Sequence, residues 1–170
     1  MAKLTKSGMK SVLVAIDFST ATPRVLEFAG QLAKALVSEI HLVHVRELAP
    51  DIPPSAIGYG MAGMPELMPM STLPVPDPNA QAMMPNESDK RKLAAWKSEL
   101  EHEGLKVTSH DLVGNIVEEI LRTSEQTKAD LIVMGRYGHG AMYNLLVGSV
   151  TEGVLKRGLC PVVLVPELRS

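Results

Sequence analysis

A chain of 170 residues, 45% hydrophobic and 21% charged, is long and apolar enough to bury a core without disulfides or metal. A formal net charge of −2 and 4% aromatic residues leave no basic footprint for nucleic acid or anionic lipid and no stacking platform for single strands. The single cysteine, Cys160, excludes an internal disulfide framework and a cysteine-rich zinc site, and its place before Pro161 reads as a small buried hydrophobe.

In chain order, Lys3, Lys6 and Lys10 precede the apolar residues Ser11 to Ile16, but this run is too short for a signal sequence and Asp17 follows it. No stretch approaches the ~18 apolar residues of a membrane span, so a cytoplasmic location is expected. Residues 11–17 are Val/Ile/Leu-rich and nearly continuous in apolarity, which predicts a strand covered on both faces in a parallel sheet. A helix is expected next, with Ser19 as N-cap, Pro23 in its first turn and a stripe of Val25, Leu26, Ala29, Leu32, Ala33, Leu36 and Val37. Residues 40–46 form the second predicted strand.

Residues 48–87 hold nine of the twelve prolines and six of the ten methionines. They read as an insertion loop, either a surface excursion or a flap or protein-docking patch. Met61, Met64, Met68 and Met70 lack the histidine or cysteine that a soft-metal site would add. A second helix is expected from about 88 to 102, burying Leu93, Trp96 and Leu100 and stopped by Gly104. Residues 106–113 alternate more and suit an edge strand. Asn115 with Glu118 three residues on predicts the capped start of a third helix burying Ile116, Ile120 and Leu121. Strands at 130–135 and 161–166 flank a fourth helix that starts near Ser149, again with Glu152 three residues on.

This alternation predicts a doubly wound open α/β fold: a five-stranded parallel sheet in the order 3-2-1-4-5, helices on both faces, forming one domain over residues 1–170. Ligands of such folds bind beyond the carboxyl ends of the strands, where Asp17, His44, Val45, Gly114 and Gly135 fall. Gly135 and Gly138 stand two residues apart, a nine-residue excursion follows, and Gly148-Ser149 then leads into a helix. Glycines at a strand end and the unpaired amides of a helix start make a phosphate cradle. Asp17 also suits a capping role, Ser149 a simple N-cap, and His139 either phosphate contact or plain solvation. His41 and His44, three apart on a strand, face opposite sides and cannot chelate one metal together. The G-x-x-x-x-G-K-[ST] loop, a G-x-G-x-x-G fingerprint after the first strand and a G-x-S-x-G elbow are absent from the sequence.

Gly135, Gly138, Gly148 and Ser149 match the G-x2-G-x9-G-[ST] signature in full, and the chain resembles the universal stress protein family. The resemblance extends over the opening Val14-Ala15-Ile16-Asp17-Phe18-Ser19, His44-Val45, the segment from Gly114 to Ile120, Ala129 to Gly135, and Cys160 to Pro166. Members that keep the signature bind ATP, and that branch is the one implied here. The resemblance implies that Asp17 and the backbone at Val45 hold adenosine, with Gly114 on the same rim. Met134 and Gly135 would line the ribose and phosphate side, while Gly138, His139, Gly148, Ser149 and Val150 would meet the phosphates. It also implies Mg²⁺ or Mn²⁺ at the phosphates and a homodimer seam along Val162–Val165. The motif does not separate ATP from AMP or another adenine nucleotide. A nucleotide-responsive regulator is expected, with a slow Mg/Mn-dependent ATP hydrolase and a loop-based scaffold as alternatives. No catalytic base, lysine or arginine finger can be named, so turnover is expected to be slow or absent.

Overall fold

A computed structural model describes residues 8–47, 86–136 and 148–166. Of the insertion read at 48–87, residues 48–85 lie outside the described residues, as do Gly138 and His139, while Asn86 and Glu87 belong to the start of a helix. Five strands, β1 (Ser11–Ile16), β2 (Glu39–Glu47), β3 (Val107–Gly114), β4 (Leu131–Gly135) and β5 (Val162–Val165), form one parallel sheet in the order β3-β2-β1-β4-β5. Four helices connect them: α1 (Thr22–Leu36), α2 (Glu87–His102), α3 (Ile116–Gln126) and α4 (Ser149–Arg157). Both the expected fold class and the expected strand order hold.

Alternation along the strands divides the core in two. Val12, Val14, Ile16, Ile40, Leu42 and Val133 pack beneath Val25, Leu26, Ala29 and Ala33 of α1 and Leu93 and Leu100 of α2. Leu13, Val43, Ile132 and Met134 face Ile120 and Leu121 of α3 and Val154 of α4. Nearly continuous apolar runs are what two covered faces require. β5 departs from this reading. As an edge strand it has Val162, Val163 and Leu164 only half-buried. β3, whose alternation suggested an edge, is the other edge.

Three local expectations need correction. The N-cap of α1 is Ala21, not Ser19, and its side chain makes no capping bond. Ser19 is instead drawn into a turn, its N–H donating to Asp17 Oδ1 at 3.0 Å and its carbonyl accepting from Thr22 N–H at 3.1 Å. Val37 leaves the apolar stripe. It is the C-cap in left-handed geometry (φ 56°) and 89% exposed, because ending the helix there turns its side chain outward. The cap of α4 is Gly148, so Ser149 is already the first helical residue. Elsewhere the capping logic is met: Asn115 Oδ1 accepts from Glu118 N–H at 3.1 Å, and Asn86 caps α2. Gly104, at φ +84°, follows the α2 C-cap, and Leu105 N–H closes the end on Leu100 C=O at 3.2 Å.

Candidate functional site

The strand order reverses between β1 and β4, and their following helices leave to opposite faces, which opens a crevice at the carboxyl ends. Register fixes who stands there. Ala15 pairs with Met134 and Ile16 with His44, so Asp17, Val45 and Gly135 lie within about one residue of a common level. Gly114 aligns with Glu47 on the far side of β2. It is on the same rim but two strands from the reversal, about 10 Å away at ordinary strand spacing. Its φ of +155° and the Glu119 side chain 3.1 Å from where a Cβ would sit make it a turn glycine that lets β3 enter α3.

One wall is the β4–α4 junction. Gly148 N–H donates to Arg136 C=O at 3.2 Å, which ties the entry of α4 to the residue that follows β4. Thr151, 2% exposed, donates its hydroxyl to Gly135 C=O at 3.2 Å and also reaches Arg136 C=O at 3.4 Å. This bolts the first turn of α4 to the end of β4. The helical ladder starts with Glu152 N–H on Gly148 C=O at 2.9 Å. The amides of Ser149, Val150 and Thr151 therefore have no acceptor within their own helix and carry the positive end of its dipole. Gly148 keeps its place in the wall, but its own N–H is committed to Arg136.

The other wall is the β1–α1 turn. Asp17 Oδ1 accepts from Ser19 N–H and, at 3.4 Å, from Thr22 Oγ1, so the carboxylate does serve the turn into α1. Phe18 holds φ +61°, uncommon for a bulky residue, and this carries its ring onto His44 (centroids 4.2 Å) and Trp96 (5.4 Å). Lys92 Nζ lies 5.3 Å from the same ring, within cation–π reach. Behind this cluster, His44 Nδ1 lies 3.4 Å from Asp111 Oδ1, and Arg46 Nη2 donates to Asp111 Oδ2 at 3.5 Å.

Sequence reading missed Phe18, Asp111 and Thr151. Phe18 is announced only by a backbone angle and Asp111 by cross-strand register, neither legible in one dimension. Thr151, two residues beyond Gly148-Ser149, was within reach of the motif. Asp17, Gly135, Gly148, Ser149 and Val150 stand at the crevice end and Val45 and Met134 reach its level through their backbone, their side chains being buried in the core, whereas Gly114 stands apart from it. Among the described residues, no group of three or more His, Cys, Asp and Glu could hold a metal ion, and no helix is long and apolar enough to cross a membrane.

A parallel 3-2-1-4-5 sheet with a helix N-terminus on one wall of its reversal defines a doubly wound α/β protein with a rim suited to anionic ligands. The sequence profile of the universal stress protein family matches residues 8–62 and 65–166, and the chain belongs to that family. It is 30% identical over 159 residues to Universal stress protein A homolog 1 of Coxiella burnetii, spanning 92% of this chain and 95% of that one. The solved structure of hypothetical protein MJ0577 of Methanocaldococcus jannaschii superposes with a TM-score of 0.73 at 28% identity, over 96% of this chain and 99% of that one. A universal stress protein solved in complex with cAMP shares the fold at a TM-score of 0.61 and 21% identity, over 94% of this chain and 98% of that one.

Proposed function

We propose that the protein binds an adenine nucleotide, ATP by the signature it carries, and acts as a nucleotide-responsive regulator. The observation that carries this is the start of α4. Three amides without an intrahelical acceptor, on a first turn bolted by Thr151 to Gly135, stand at the reversal of the sheet. Phosphate oxygens are the anions such a terminus favours. Gly138 and His139 complete the phosphate side. Asp17, Val45 and Met134 take the nucleoside side, with Gly114 on the outer rim. The cAMP complex of a fold relative supports the class of ligand. A Mg²⁺ or Mn²⁺ ion in this arrangement is held through the phosphates, where it neutralises charge.

A binding site of this kind regulates by differential affinity, stabilising one conformation or assembly over another. The half-buried apolar residues of β5 give the assembly a place: two copies paired along Val162–Val165 would bury an edge that one copy leaves open.

Mass spectrometry of the supernatant from denatured protein tests the reading directly, with a thermal-shift series of ATP, AMP and cAMP beside it. We expect a bound adenine nucleotide, or stabilisation of about 2.7 kcal/mol when ligand reaches a hundred times its Kd. A nucleotide-free protein whose unfolding is unmoved by all three ligands refutes it.

A further inference from the structure

His41 and His110 meet away from the nucleotide rim. His41 lies four residues before Val45, roughly 13 Å back along β2 at a strand's rise. It points to the opposite face from His44, and its neighbour is the edge strand β3. His41 Nδ1 stands 3.3 Å from His110 Nε2, with ring centroids 5.5 Å apart and planes inclined at 39°. Two imidazole nitrogens on one tetrahedral ion, each about 2.0–2.1 Å from it, are themselves about 3.3–3.4 Å apart. The opposite nitrogen of His41, Nε2, is buried and has no hydrogen-bond partner among the described residues, the Glu39 Oε1 at 3.5 Å being an ion-pair contact only. Lys106 steadies that carboxylate through an ion pair of 2.6 Å to Oε2. In the tautomer that carries its proton on Nε2, on the side of the Glu39 carboxylate, the lone pair of His41 falls on Nδ1, the nitrogen nearest His110.

We propose that His41 and His110 bind one divalent transition-metal ion of the zinc, nickel or copper type, with solvent completing the coordination and Glu39 orienting His41. Imidazole nitrogens suit these ions, and a carboxylate behind a ligating histidine fixes its tautomer and raises its basicity. Hard ions such as Mg²⁺ prefer oxygen and are not expected here. Among the described residues no strand lies beyond β3, which leaves an approach at that edge. The site is independent of the nucleotide reading, because none of its three side chains lies at the crevice.

Zn²⁺ titration of the full chain, stripped of metal and of any affinity tag, followed through the imidazole NMR signals, tests this. His41 and His110 should shift together with one Kd, while His44 and His102 stay in place. His41→Gln and His110→Gln should each weaken binding at least tenfold while circular dichroism and the melting temperature show an intact fold. Glu39→Gln, which removes no ligand, should weaken it by about tenfold or more. Signals unmoved by millimolar Zn²⁺, a shift of one histidine alone, or full affinity in the doubly substituted protein would each overturn the proposal and leave a plain hydrogen-bonded pair.

Discussion

At Gly153 the helix α4 passes so close to α3 that a Cβ would lie 2.8 Å from Val117 Cγ2 and 3.2 Å from its Cγ1. Val117 is β-branched and has little rotamer freedom in a helix, so the helices themselves must part. Alanine is intrinsically favoured over glycine in a helix by about 1 kcal/mol, whereas overpacking costs about 1–3 kcal/mol. Gly153→Ala should therefore lower stability in denaturant titration, and nucleotide affinity should fall with it as the α4 N-terminus shifts. A stabilised variant would show that α4 gives way freely. Cys160 offers a chemical check. Burial, and then the nearby Asp130 carboxylate, push its thiol above the usual cysteine range. Alkylation by iodoacetamide at pH 8 should run slower than for a free thiol, and a faster rate would contradict the inert reading. The sequence reading of a buried thiol is corrected in degree, since Cys160 is only half-buried. The position of Phe18, by contrast, rests on a φ of +61° that no residue pattern encodes.

Elements were legible where a cap or stop is written in side chains and less so where backbone geometry decides. Asn115 caps α3 and Gly104 ends α2 as expected. Glu118 does not complete a capping box. Its carboxylate pairs bidentately with Arg157 of α4, at 2.6 and 2.9 Å. This hydrogen bonding, and secondarily the charge of Arg157, hold the Glu118 carboxyl below its ordinary range. The folded state thus binds a proton less readily than the unfolded chain. The contribution is full above the ordinary carboxylate range and is lost as pH falls through the lowered value. Both groups are solvated, so the effect is small. Melting temperature measured from pH 6 to pH 3 should fall slightly less steeply for Glu118→Gln than for the native chain, and an identical slope would remove the pair from the account. A larger effect is expected at Thr151, whose buried hydroxyl ties α4 to β4. Thr151→Val keeps the shape and should cost about 1 kcal/mol, since half-buried carbonyls lose their donor. Nucleotide affinity should weaken further still if the first turn of α4 holds the phosphates. Unchanged binding at reduced stability would assign Thr151 to the fold alone.

For the molecule as a whole, the sheet order and the two-faced core follow from continuous apolar runs joined by right-handed crossovers, which is why they could be read in advance. The apolar run gave no sign that β5 is only half-buried, because such a run looks alike whatever lies against it. Bonds from Ile132 N–H to Pro161 C=O and from Arg136 N–H to Val165 C=O show that odd-numbered residues of this strand face β4. In a parallel ladder the backbone groups of Val162 and Leu164 then point outward from the sheet. Paired β5 edges would satisfy these groups and cover the half-exposed Val163 and Leu164 at once. Light scattering on the eluting protein should thus give about twice the 18.4 kDa of one chain. Leu164→Pro removes one outward N–H at an edge that tolerates proline. It should shift the protein to monomer while circular dichroism remains that of the folded chain. A native protein that elutes as a monomer at high micromolar concentration, or a folded proline variant that stays dimeric, would place the interface elsewhere than on β5.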